Sequence, residues 1–196
     1  MPRSLSPRTR HQPKRDALLE AAVEVIAEFG VAGTTHRAVT ERAGVPLATV
    51  SYYFSSIGEL IEEALRRFAE QRAESLAPPR RPEGAEEPTP AAVAAWATDR
   101  FMDVPEATRL AWFEMVISSV RHPELAEPKH VALGSYERAA QAAISALGEP
   151  EDTDRARAFM ALALGFSLLR LADPRESDAA NLRDSLQHLF HGRQDS

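Results

Sequence analysis

Apolar positions recur along most of this chain every three or four residues and nowhere alternate strictly, so the pattern predicts helices throughout and no strand. Leu18, Leu19, Ala22, Val23, Ile26 and Phe29 make one buried face of a first helix. It should start near Pro13, since proline suits the first helical position, and stop at Gly30. Glu20, Glu24 and Glu28 sit four apart on the opposite side, as a solvated face. Two short helices follow, at about His36–Ala43 and Leu47–Phe54. Thr34 or Thr35 caps the first, and Gly44 supplies the positive φ of the turn between them. Val39, Ala43, Val45, Val50 and Phe54 point inward together, which leaves Thr49, Ser51, Tyr52 and Tyr53 with little core to fill. Ser56 then caps a long helix to about Leu76, with Glu59 three residues on completing a capping box.

Residues 77–90 hold five prolines and a glycine and read as a mobile surface loop. Beyond it the pattern predicts four or five more helices, for about nine in all. One starts at Pro90 behind the cap Thr89 and ends near Asp103. The next runs from Pro105 to about Arg121, and another lies within 129–147. The last two span about 153–172 and 177–190. The segments around Trp112–Ile117 and Phe159–Leu169 are apolar on more than one side, so each needs a second cover. That cover is a partner subunit or an internal ligand cavity.

Two crossed short helices with a glycine turn form the shape whose second helix enters the major groove of DNA. Charge is distributed to suit. The chain carries a net −6, yet residues 1–56 hold seven Lys/Arg against five acids, a basic end on an acidic body. Arg37, in the first turn of the first short helix, offers a guanidinium fork to guanine or a contact to phosphate; both roles stay open. Lys14, Thr35, His36, Thr49, Ser51, Tyr52 and Tyr53 are further DNA-contact candidates. Leu47 and Ala48 have methyls suited to thymine. One of the two tyrosines has a second reading, packed into the head. Residues 1–12, rich in Pro, Ser and Arg, read as a disordered arm that meets DNA or only solubilises.

Other chemistries find little support. There is no cysteine, hence no disulfide or thiolate site. The longest apolar run is far short of the roughly 20 residues of a membrane span, and no apolar segment follows the basic start. The pair Glu127 and His130 has the spacing of di-metal helix bundles but lacks a matching second helix, and Pro128 disrupts it. His188 and His191 stand alone near the end of the chain. Neither a phosphate-cradling glycine loop nor a nucleophile elbow is present. No metal, cofactor or enzymatic activity is expected.

The stretch from Gly33 to Leu60 resembles the DNA-binding signature of the tetracycline-repressor (TetR) family. The resemblance lies in Thr34-Thr35, in Ala43-Gly44-Val45 at the turn, in the hydroxyl-rich helix ending Tyr52-Tyr53-Phe54, and in Leu60. Its strong part covers about residues 14–65. Departures are Val39-Thr40 in place of Ile-Ala, Pro46 in place of Ser, Ala48 in place of Gly or Pro, Ser51 in place of Tyr, and Ile57 in place of Lys. The resemblance implies a helix-turn-helix head at 13–58 and a body at 59–196 that binds an effector and dimerises through the last two helices. It implies a cytoplasmic homodimer on a palindromic operator, a repressor released by a small, mostly apolar molecule. Met102, Trp112, Phe113, Ile117, Tyr136 and Phe166 are the candidate pocket. Glu114 reads as part of a solvent-facing strip with Ala107, Ala111, Ser118 and Arg121; the alternative is a pocket carboxylate. The other functional readings are an activator or ligand-requiring repressor and, from a different class, an all-α metal- or ligand-binding enzyme.

Overall fold

The computed structural model describes the backbone of residues 7–76, 87–148 and 150–191, with side chains from residue 13. Nine α-helices and one short 3-10 turn are found among the described residues, and no strand. They are α1 (Pro7–Gly33), α2 (His36–Ala43), α3 (Leu47–Tyr53), α4 (Ile57–Leu76), α5 (Pro90–Met102), α6 (Glu106–Ser118), α7 (Ala126–Ser145), α8 (Thr153–Ala172) and α9 (Asp178–His191). The expected all-α fold is present. No helix among the described residues is long and apolar enough to cross a membrane.

Several ends fall where local chemistry demands. The hydroxyl of Thr89 accepts from the Ala92 N–H at 3.2 Å, and the carboxylate of Asp152 accepts from the Arg155 N–H at 3.0 Å. Each satisfies one of the unpaired donors of a first helical turn. Others differ from expectation. Helix α1 begins at Pro7, not near Pro13, so residues 7–12 of the expected disordered arm are helical; residues 1–6 lie outside those described. Pro7 takes the favourable first position, and Pro13 sits inside the helix, where its missing N–H costs a backbone hydrogen bond. Helix α6 ends at Ser118, three residues early, and a 3-10 turn at Pro123–Leu125 leads into α7. Pro128 is accommodated in the first turn of α7, where an N–H would have no helical partner. Of the expected 77–90 loop, residues 77–86 lie outside those described, and 87–89 carry no regular structure before α5.

The chain forms two compact units, each built from two stretches of sequence. The first is residues 1–70 with 110–131; the second is 71–109 with 132–196.

In the first unit Leu18, Leu19, Ala22, Val25, Val39, Val50, Phe54, Leu60 and Ala64 are buried together. Removing that much apolar surface from water, at about 25 cal/mol per Å², is the main force holding the short helices α2 and α3 in place. Phe29, expected in the core, is 55% exposed; it stands one residue before the helix breaks at Gly30, past the end of the packed face. The glutamate row on α1 is paired rather than merely solvated. Arg42 of α2 binds Glu24 at 3.2 Å and also Glu28, while Arg67 of α4 binds Asp16 and lies 3.5 Å from Glu20. Arg15 pairs with Glu63 and lies over the Phe54 ring.

In the second unit α5 packs against α8 and α9. Its core carries a chain of rings, with Phe101 5.0 Å from Tyr136 and 5.6 Å from Phe159, and Phe159 6.1 Å from Phe190. The buried Arg155 at the start of α8 donates to the carbonyls of Leu189 and Phe190 at 3.1 and 2.6 Å. It thereby satisfies carbonyls that the end of α9 leaves open, with a charge of the favourable sign.

Candidate nucleic-acid interface

The residues expected to meet DNA all lie in the first unit, on α1, α2 and α3 and at the cap of α2. The backbone that carries them is set by three local devices. The first is Gly30, whose φ of 73° and ψ of 171° break α1. The side chain of Thr34 then donates to the Gly30 carbonyl at 2.9 Å, while the Val31 N–H donates to the carboxylate of Glu114 at 2.8 Å. The second is Thr35, which rather than Thr34 caps α2 by accepting from the Ala38 N–H at 3.2 Å. The third is Gly44, at φ 65° and ψ 32°, which turns α2 into α3.

On this frame the candidates separate. Leu47, Ala48, Ser51 and Tyr52 are exposed on α3, with Thr49 half-buried. Tyr52 is 71% exposed, whereas Tyr53 packs against the head's core, with Tyr52 edge-on to it at 4.9 Å. Of the two tyrosines, Tyr53 therefore has the packing role, and Tyr52 is the one turned outward. Lys14 and Thr35 are exposed, and His36 is half-buried with an Nε2 that has no hydrogen-bond partner.

Arg37 is exposed, and its Nε donates to Glu41 one helical turn away at 2.8 Å. That hydrogen bond and charge raise the guanidinium's pKa further, so it is always a cation. Arg42, counted in the basic end, is instead occupied by Glu24 and Glu28. Fewer free cations therefore face outward than the composition suggests.

The departures from the family pattern have local explanations. The hydroxyl of buried Thr40 donates back to the carbonyls of His36 and Arg37, at 2.9 and 3.0 Å, so a polar group at this core position is satisfied. Ile57 packs partly buried against the head's core, an apolar role that lysine would fill only with its stem. Pro46 precedes α3 without a side-chain cap. The capping box at α4 is shifted by one. Ser56 accepts from the Glu59 N–H at 3.1 Å, but the Glu59 carboxylate reaches the N–H and hydroxyl of Ser55, both at 2.6 Å. Those two bonds hold its carboxyl below the usual range.

Glu114 corrects both sequence readings. It is neither a free solvent-facing strip nor a pocket carboxylate, because it accepts from the Val31 N–H and from the Ser118 hydroxyl, each at 2.8 Å. Nothing local marks this role, since the partners are 83 residues apart. The six pocket candidates fall in different units. Trp112, Phe113 and Ile117 belong to the first, with Trp112 buried and Ile117 53% exposed; Met102, Tyr136 and Phe166 belong to the second. His188 and His191 each set Nδ1 at 2.7 Å from a carbonyl of their own helix.

Two family profiles match the chain. The bacterial regulatory protein, tetR family profile covers residues 18–64, and the tetracyclin repressor-like C-terminal domain profile covers 85–192. The chain belongs to the tetracycline-repressor family. Among TetR relatives it is 29% identical to the nicotine-responsive transcriptional repressor HdnoR of Paenarthrobacter nicotinovorans, over 92% of this chain and 95% of that one. A transcriptional regulator from Rhodococcus sp. Rha1 superposes with a TM-score of 0.72 at 25% identity, over 91% and 94% of the two chains. The multidrug binding protein EbrR, solved in complex with imidazole, gives 0.64 at 27% identity over 96% of each. This TetR protein is thus a transcriptional regulator with a helix-turn-helix head at α2–α3, and the enzyme reading finds no support among its relatives.

Proposed function

We propose that the protein is a homodimeric repressor that binds a palindromic operator through α2 and α3 and releases it when a small molecule binds its body. The observation that carries the DNA half is the division of α3. Val50 is fully buried in the head, while Leu47, Ala48, Ser51 and Tyr52 stand exposed on the other side. A helix so short cannot hold itself together, so the head exists to present that outer face. Arg37, His36, Thr35 and Lys14 supply the flanking contacts to base edges and phosphate.

Effector control rests on the company the chain keeps, a repressor named as nicotine-responsive and a multidrug binding protein. In such a system DNA and effector each favour a different arrangement of the two heads, so each weakens the other's binding by the same factor. Its place of work is the bacterial cytoplasm, where the chromosome is.

Dimerisation through the last two helices is supported by α8. Ala161, Gly165, Leu168 and Ala172 recur at helical spacing, all exposed, with Leu169 beside them. Leu168 and Leu169 are 51% and 55% exposed, and a side chain added at Gly165 would meet nothing within 4 Å. Such an apolar stripe on a helix end-to-end is an association surface, and Gly165 allows close approach of a second α8. Leu168→Arg should therefore convert the dimer to monomer in analytical ultracentrifugation and weaken operator binding in a gel shift. A variant that stays dimeric and binds normally would move the interface elsewhere.

A further inference from the structure

In the second unit, cations gather around the C-terminal end of α5. Arg72 donates to the Arg100 carbonyl at 2.8 Å and to the Tyr136 hydroxyl at 3.3 Å, and its guanidinium lies 5.7 Å from the Tyr136 ring centre. Ser167 donates to the Phe101 carbonyl at 3.3 Å, which brings α8 to the same place, with Arg170 one turn further on. Arg109 donates from one Nη to the carbonyls of Met102 and Val104, both at 3.1 Å. It is 7% exposed, and its Nε is buried with no hydrogen-bond partner.

Capping of α5 explains part of this, since cations are favoured at a helix C-terminus. It does not explain the amount of charge. A helix end is worth roughly half a negative charge. Among the described residues, no carboxylate lies within ion-pair distance of Arg72, Arg109 or Arg170. Burial depresses the Arg109 guanidinium's pKa most, and the like charges of Arg170 and Arg72 depress it further, against Glu106 and Tyr136, which raise it. Among the described residues Glu106 is the one carboxylate acting on Arg109, and Asp103 at the end of α5 is exposed. Even counting Glu106 in full, the group keeps a surplus of roughly one to two positive charges. A buried cation left in that state is costly, and a counter-ion removes the cost.

We propose that this group is an anion subsite, in which Arg109 and Arg72 beside Tyr136, with Arg170 of α8 near Arg109, receive the carboxylate of an organic acid. The guanidinium fork fits a carboxylate in two parallel bonds, and the free Nε of Arg109 is one of the donors such a pairing uses. The surplus matches one carboxylate better than a doubly charged phosphate. The buried rings of Phe101 and Tyr136, 5.0 Å apart, give the subsite an apolar flank. The subsite names the chemical class of the effector and so rests on the effector reading above.

The test uses the full-length dimer and three acids, octanoate, benzoate and 4-phenylbutyrate, each beside its primary amide. Melting curves and calorimetric titration should show at least one acid binding and raising the melting temperature, with its amide at least about tenfold weaker. Arg170→Gln should reduce that acid's affinity by a similar factor. Arg170 makes no hydrogen bond or ion pair in the described structure, so this variant should fold even if Arg109→Gln does not. Amides that bind as well as acids, no acid binding at all, or an Arg170→Gln protein with unchanged acid affinity would each overturn the subsite. A gel shift separates the two readings. An acid that binds but never loosens the operator contradicts effector control and leaves the subsite standing. Release by neutral or cationic compounds, with acids inert, contradicts the subsite and leaves effector control.

Discussion

Gly30→Ala should destabilise the protein far more than Gly44→Ala, although both glycines have positive φ and both flank α2. At Gly30 the φ of 73° comes with a ψ of 171°, a region that only glycine occupies at low cost; forcing another residue there costs about 1–3 kcal/mol. An added Cβ would also stand 3.0 Å from Oε1 of Glu114. The carboxylate would have to give by a few tenths of an ångström, weakening the 2.8 Å bond it accepts from the Val31 N–H, a further loss of at most about 1–3 kcal/mol. For a chain of this length each kcal/mol shifts the melting temperature by about 2–4 °C, so a fall of roughly 5–20 °C is expected. At Gly44 the backbone is ordinary left-handed helix and an added Cβ meets nothing within 4 Å. The cost there is the left-handed strain alone, about 1–2 kcal/mol. Glu114→Ala should reproduce part of the Gly30→Ala loss, and Glu114→Gln, which keeps an oxygen acceptor, much less. Equal melting temperatures for the two glycine variants would show that the Glu114 contact has no energetic weight.

Arg37→Ala should give the largest functional loss from a single exposed side chain. A guanidinium gripping guanine contributes about 1–3 kcal/mol at each half-site, so a dimer loses it twice. In the free protein Arg37 is tied to Glu41, but an exposed i, i+4 pair is worth only about 0.3–0.5 kcal/mol. DNA therefore wins the competition, and Glu41→Gln should strengthen binding slightly by removing both the tether and a negative charge. Selection from a randomised DNA pool distinguishes the two roles of Arg37. Lost preference at one position per half-site means base reading. A uniform loss on every sequence, with a flatter salt dependence, means a phosphate contact.

Much of the head was legible because its boundaries are written locally. Gly44 and Ser56, like Thr89 in the second unit, each act on residues within a turn of themselves, so spacing locates them, whereas the adjacent hydroxyls of Thr34 and Thr35 leave the cap of α2 open until the structure selects Thr35. What escaped depends on partners far along the chain. The acidic face of α1 reads as solvated until Arg42 and Arg67 are brought to it by folding. Glu114 interrupts an apolar run for a reason that lies at Val31. Tyr52 and Tyr53 are adjacent and chemically identical, and only the position of the head's core separates them. Phe29 obeys helical spacing yet lies beyond the packing that would bury it. The arginines at the end of α5 come from three helices, and no run of sequence displays them together.

Footprinting on a selected high-affinity duplex decides whether a symmetric pair of α2–α3 heads reads DNA. Two symmetric heads should protect two inverted half-sites whose centres lie about 34–36 Å apart or a multiple of that, with an even number of chains bound. Protection of a single asymmetric half-site by one chain would contradict it.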